Sequence, residues 1–179
     1  MLVGACATPY QYPQALPDLQ RREAYEPFTV SPADAAYNTP YPDIASVRFV
    51  VLVTDSNVDK PGYDHLMRSG LLAVGFREVL DEAQGRARLG AIGVSGLAAQ
   101  SMDPESMKKA TEKLGPFLIV DSRTYRRGEN NWYSSLTVVD PASTLVLLRK
   151  ELVGIEATSG VETEIIYPML DLLRIWYQS

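Results

Sequence analysis

The sequence predicts an α/β domain: a mixed sheet with flanking helices, antiparallel strands toward the C-terminus and a closing C-terminal amphipathic helix. Three observations predict it. The run Val47-Arg-Phe-Val-Val-Leu-Val53 is almost continuously apolar, as in a strand buried on both faces. After it, Leu66, Gly70 or Leu71, and Val74 recur at helical spacing. The second half of the chain then holds three strand-like stretches separated by short polar turns, the pattern of consecutive antiparallel strands.

Taken in order, the first strand spans 44–53 and stops at Thr54-Asp-Ser-Asn-Val-Asp-Lys-Pro-Gly62, a cluster of turn residues. The helix that follows ends at Gly75, where a C-cap glycine belongs. Residues 76–80 read as a short strand, and the stretch from Asp81 to Leu97 as weakly helical or loop. Asp103 is placed to cap a helix, Pro104 fits its first turn, Glu105 complements the dipole, and Gly115-Pro116 ends it. Its inward stripe is Met107, Ala110, Thr111 and Leu114. Residues 117–120 form a strand continuing toward Tyr125, Arg126-Arg-Gly-Glu-Asn-Asn131 a hairpin loop, 132–139 its partner strand, Asp140-Pro-Ala-Ser143 a turn, and 144–152 a third strand. Ser159-Gly-Val-Glu162 has capping-box spacing. The last helix carries Ile165, Met169, Leu172 and Trp176 on one face, with Pro168 in its first turn or kinking it.

Composition narrows the function. With 179 residues the chain holds one sizeable core and not two ordinary domains. A net charge of -5 disfavours nucleic acid as a partner, because phosphate binding needs clustered Lys and Arg. One cysteine, Cys6, forbids an internal disulfide, and one histidine, His65, removes the usual zinc constellations. No metal site and no cofactor are expected, and no stretch has the roughly 20 apolar residues needed to span a bilayer.

The N-terminal residues carry a clue of place. Val3-Gly4-Ala5-Cys6 resembles the lipobox of bacterial lipoproteins, whose cysteine becomes acylated, and Ala7 in place of Asp implies sorting to the outer membrane. Only five residues precede Cys6, fewer than a secretory signal needs, so the expectation is a truncated or misassigned start; otherwise Cys6 is an ordinary free thiol. From Thr8 to Pro42 the chain carries seven of its 12 prolines and five of its 10 tyrosines. This is the composition of an extended tether, or of a segment whose tyrosine rings pack in part on the domain. The organisation is thus residual signal and lipobox over 1–6, proline-rich tether over 7–42, and a single α/β domain over 43–179.

Enzyme signatures are incomplete. Gly93-Val-Ser-Gly-Leu97 has a leucine where a nucleophile elbow needs its last glycine, and His65 precedes the serine. Asp55, Asn57, Asp59 and Asp64 lack the terminal Glu and central Gly of an EF-hand and read as turn and capping residues. Glu78, Asp81 and Glu82 read as a solvated acidic face. The one concentration of cation and aromatic groups is Arg123, Tyr125, Arg126, Arg127, Trp132 and Tyr133, the residue types enriched where proteins meet partners.

Three stretches, Leu72-Ala-Val-Gly-Phe-Arg-Glu-Val79, Ala110-Thr-Glu-Lys-Leu-Gly-Pro-Phe-Leu-Ile-Val120 and Thr137-Val-Val-Asp-Pro-Ala-Ser-Thr-Leu-Val146, with the element order around them, resemble the TolB N-terminal-like domain of bacterial envelope lipoproteins. That group includes the curli-secretion lipoprotein, the activator lipoprotein of penicillin-binding proteins and the Pel-export lipoprotein. The resemblance implies a non-enzymatic outer-membrane lipoprotein, anchored through Cys6 on the periplasmic side, that serves as adaptor, activator or ring-forming subunit of an envelope assembly. Its partners would be other envelope proteins or itself. The chain has no pair of long alternating hairpins of the kind a membrane pore needs. The readings that compete are a soluble enzyme with an unrecognised site and a structural oligomer subunit without a lipid.

Overall fold

The computed structural model describes residues 37–94, 103–158 and 160–179. Six strands, β1 Tyr37–Asn38, β2 Phe49–Ser56, β3 Val79–Asp81, β4 Phe117–Arg126, β5 Asn131–Asp140 and β6 Leu145–Glu156, form one sheet in the order β1-β6-β5-β4-β2-β3. The helices are α1 Lys60–Val74, α2 Glu82–Gly90, α3 Pro104–Leu114 and α4 Tyr167–Tyr177. β2 pairs in parallel with β3 and β4, whereas the pairs β4–β5, β5–β6 and β6–β1 are antiparallel. The α/β reading with a mixed sheet, antiparallel C-terminal strands and a closing amphipathic helix therefore holds.

From β2 the chain steps to β3 on one side and then returns past β2 to β4. Two crossovers of the same hand that step in opposite directions place their helices on opposite faces. On the first face, α1 and α4 pack on Val50, Leu52, Leu118, Val120, Leu136 and Leu148. The inward stripe of α4 is the expected one, with Ile165 in the turn before it and Met169, Leu172 and Trp176 all at most 3 % exposed. On the second face, Leu89 of α2 and Met107 and Ala110 of α3 meet Phe49, Val51, Leu80, Phe117 and Ile119. Phe49 and Phe117 stack there at 4.8 Å, and the Arg88 guanidinium lies 4.8 Å over Phe49. Among the described residues no helix is long and apolar enough to cross a membrane.

Local signals account for most of the boundaries. Gly75 ends α1 at φ 129° and Gly115 ends α3 at φ 85°. Asp103 caps α3 by accepting from the Ser106 amide at 3.0 Å. Other boundaries differ from the expectation. Residues 44–46 form a short 3-10 turn, and β2 begins at Phe49 and continues to Ser56, because its far end pairs with polar Ser122 and Thr124 rather than with apolar residues. The stretch after Asp81 is a capped helix: Asp81 accepts from the Gln84 amide at 2.8 Å while Gln84 Oε1 accepts from the Asp81 amide at 3.1 Å.

The capping box expected at Ser159 falls outside the described residues. There the Thr158 amide donates to Glu164 at 3.1 Å, and a π-helical turn, Glu162–Ile166, leads into α4 with Pro168 in its first turn. The end of the proline-rich stretch lies against the domain. Beyond the backbone pairing of Tyr37 and Asn38 with β6, the Thr39 amide donates to the Leu147 carbonyl at 2.7 Å and its carbonyl accepts from the Trp176 indole at 2.8 Å. Tyr41 packs on the first-face core. Cys6, the lipobox and residues 8–36 lie outside the described residues.

Candidate functional site

Side chains of a strand alternate between faces, so the residues that read as one cluster in sequence are divided by the sheet. Trp132 and Arg126, directly paired across β4 and β5, belong to the first face. Trp132 is 8 % exposed in the core, with the Arg126 guanidinium 6.0 Å from its ring. Arg126 Nε donates to the Gly128 and Glu129 carbonyls at 3.0 and 2.9 Å and so braces the hairpin turn. Arg123, Tyr125 and Tyr133 belong to the second face, and Arg127 lies 4.6 Å over the Tyr133 ring.

Among the described residues, α2 and α3 cover only β2, β3 and the start of β4 on that second face. Beyond them the register builds three rows across β4, β5 and β6: Tyr125, Tyr133 and Val153; Arg123, Ser135 and Glu151; Asp121, Thr137 and Arg149. A groove of about 430 Å³ runs over the lower two rows, floored by Ile119, Val139 and Val146 and walled by Glu82 and Arg86 of α2.

The outer row is aromatic and apolar. Tyr125 and Tyr133 stack at 6.1 Å, Val153 is 63 % exposed, and the Tyr125 hydroxyl donates to Asp55 at 2.6 Å. Partial burial, followed by that bond to Asp55, holds the Tyr125 phenol above its ordinary range. The other two rows are ionic. Arg123 donates from Nε and Nη2 to both oxygens of Asp121 at 2.9 and 2.7 Å, and this hydrogen bonding pushes the guanidinium still higher. Arg149 donates to Glu151 at 2.5 and 3.2 Å. Because each pair is two residues apart on one strand, sign alternates along β4 and, in the opposite sense, along β6.

The acidic residues singled out from the sequence do not gather. Asp64 accepts from Lys60 at 2.9 Å and from the Thr54 hydroxyl, Asp55 accepts from Tyr125, and Asp59 opens α1 at φ 32°. Asn57 pairs with the backbone of Arg126 through its amide donor at 3.0 Å and its oxygen at 2.8 Å. Glu78, Asp81 and Glu82, expected as a solvated acidic face, instead hold α2: Glu78 takes two bonds from Arg88 at 2.7 and 2.8 Å, Asp81 caps, and Glu82 pairs with Arg86. Hydrogen bonding to Arg88 lowers the Glu78 carboxyl. Among the described residues no three His, Cys, Asp or Glu are placed to hold a metal ion. Gly93 is described at φ 82°, while the serine of the elbow-like stretch is outside the described residues.

A buried hydroxyl chain lies on the first face. Thr124 Oγ1 donates to the Tyr63 hydroxyl at 3.1 Å, which leaves Ser134 as donor to Thr124 at 2.9 Å, and the Tyr63 and Ser122 hydroxyls hydrogen-bond to each other at 2.6 Å. Burial pushes the Tyr63 phenol up to about 12, against the opposing effect of these bonds. Next to it, at the carboxyl ends of β2 and β4, a cavity of about 110 Å³ opens between Val58, Leu66, Trp132, Val161 and Ile166.

No family model matches the chain. No curated protein matches it either. Among solved structures, the lipoprotein GNA1162 from Neisseria meningitidis is 11% identical, with 70% of this chain and 93% of that chain covered and a TM-score of 0.43. The PelC dodecamer from Paraburkholderia phytofirmans is 12% identical over 80% of this chain and 94% of that chain, with a TM-score of 0.40. The C-terminal domain of LpoB from Escherichia coli is 10% identical over 58% and 79%, with a TM-score of 0.37. At scores this low, the lipoprotein and dodecamer descriptions remain those proteins' own.

Proposed function

We propose that this chain is a non-enzymatic adaptor of the bacterial cell envelope, acylated at Cys6, held at the periplasmic side of the outer membrane, and binding an envelope protein or itself through the second face of its sheet. The observation that carries the reading is the uneven covering of the two faces of that sheet by the described residues. Among the described residues, α1 and α4 pack across the first face, whereas on the second face α2 and α3 cover β2, β3 and the start of β4, and Tyr133 and two rows of ion pairs line a groove next to the row of Tyr125 and Val153. A face of paired charges bordered by aromatic rings suits reversible protein contact, because rings bring contact area and paired charges bring orientation. The lipid is supported by Val3-Gly4-Ala5-Cys6 and the proline-rich stretch after it. Acylation would confine the domain to a surface and raise the effective concentration of a partner there.

The test is intact mass and membrane fractionation of the protein expressed from its native locus, beside Cys6→Ser. The expected result is an acylated mass and a membrane pool that Cys6→Ser abolishes. A soluble, unmodified chain overturns the anchor.

A further inference from the structure

We infer that the cavity at the carboxyl ends of β2 and β4 binds a small organic ammonium, with a branched-alkyl body inside and the cationic head at Glu162. The site lies on the first face, apart from the groove, and does not depend on the second face being a contact surface. Its position follows from topology. β2 and β4 are parallel neighbours, yet the chain leaves β2 toward β3 and leaves β4 toward β5, in opposite directions across the sheet. Such a divergence opens a crevice beyond the carboxyl ends of the strands, where open α/β sheets hold their ligands.

The lining selects the ligand class. Val58, Leu66, Trp132, Val161 and Ile166 offer apolar surface. The hydroxyls among the lining residues are already bonded: Tyr63 and Thr124 to one another, Tyr63 to Ser122, Thr124 to Ser134, and Ser56 to the Val58 carbonyl at 2.8 Å. A polar group of the ligand placed inside would lose water and gain no new partner, so the inner part of the ligand is apolar. The volume of about 110 Å³ is below the roughly 150 Å³ of an apolar cavity that holds benzene, which sets that part at about the size of a leucine side chain.

The lining also includes exposed Asp59 and half-buried Glu162, and no Lys or Arg. Asp59 stands at the start of α1, and Glu162 opens the π-helical turn that runs into α4. Each start contributes roughly half a positive charge, so the two carboxylates remain in excess. Lys60 is committed to Asp64 and Thr54, and Arg126 to the Gly128 and Glu129 carbonyls. An anion is repelled there, whereas an ammonium held by Glu162 keeps its charge next to water.

The experiment titrates the full chain with isobutylammonium, isobutanol and isovalerate. It follows the Trp132 indole and the methyl groups of Leu66, Val161 and Ile166 by NMR, with circular dichroism to verify the folding of each variant. Isobutylammonium is expected to shift these signals and to bind about tenfold or more tightly than isobutanol at low salt, with isovalerate weakest. Glu162→Gln brings the ammonium and the alcohol to equal affinity, and added salt narrows the gap between them. Val161→Phe fills the cavity and abolishes binding of both. If that variant does not fold, Glu162→Gln still decides. Signals that no probe moves, as when another part of the chain occupies the cavity, overturn the inference. So does isobutanol binding as tightly as the ammonium, or a preference for the ammonium that Glu162→Gln leaves intact.

Discussion

Gly85 of α2 lies so close to Val51 of β2 that a β-carbon on it would sit 2.5 Å from Val51 Cγ1 and 3.0 Å from Cγ2. Val51 is fully buried in a central strand, and a β-branched side chain has little rotamer freedom with which to yield. The glycine therefore sets how low α2 rides over the second face, and with it the wall of the groove.

Gly85→Ala is expected to destabilise the domain by about 1–2 kcal/mol, because overpacking outweighs the gain of about 1 kcal/mol in helix propensity. Gly90→Ala, in the same helix with nothing near its β-carbon, should be neutral or stabilise by up to about 1 kcal/mol. Urea titration of the two variants checks the contrast.

Tyr63 links pH to stability. Its folded pKa of about 12 lies above the ordinary 10.0, so the unfolded chain loses this proton first. The contribution is fully present below pH 10 and is lost as pH rises through the folded value. Tyr63→Phe should cost about 1–2 kcal/mol at neutral pH through the hydroxyls left without their partner. The gap in urea midpoint between parent and variant should then narrow between pH 10 and 12. A gap constant across that window would show that the buried phenol does not titrate as described.

Asn57 acts as an extra residue of a strand, since its amide completes both backbone groups of Arg126 at the end of β4. Asn57→Ala should cost about 1 kcal/mol and speed hydrogen exchange at the Arg126 amide. Asn57→Asp should keep the acceptor for that amide but set a carboxylate against the Arg126 carbonyl, and so recover only part of the loss.

Trp176→Phe removes the donor to the Thr39 carbonyl while keeping most of the ring. A loss of about 1–2 kcal/mol is expected. Exchange at the Thr39 amide, which bonds to Leu147, should rise more than exchange in β4 or β5. Equal acceleration everywhere would mean that the indole supports the core at large and not this segment.

Where structure follows from residues near in sequence, the sequence was sufficient. The Asp103 cap, the glycine ends of α1 and α3 and the α4 stripe were all legible because each acts within a turn or two. Helix α2 was not, since Gly85 and Leu89 are its only buried residues and its packing depends on a missing side chain, which hydrophobic periodicity cannot register. The candidate site divides in the same way. Arg123, Tyr125, Arg127 and Tyr133 were visible as a local concentration, but alternation along β4 and β5 sends Arg126 and Trp132 to the other face. Arg149 and Glu151 complete the charge pattern from β6, and only cross-strand register, a long-range property, brings them level with Asp121 and Arg123.

The attachment at Thr39 also defines a path for force. Among the described residues, a pull on Tyr37 is carried by the Tyr37 and Asn38 pairing with β6, the Thr39–Leu147 bond and the Trp176 indole. Tension is thereby shared between a sheet strand and the C-terminal helix. Since β6 also carries Arg149 and Glu151, the strand that bears the load is the one that presents half of the charge pattern, and the direction of the pull orients that face.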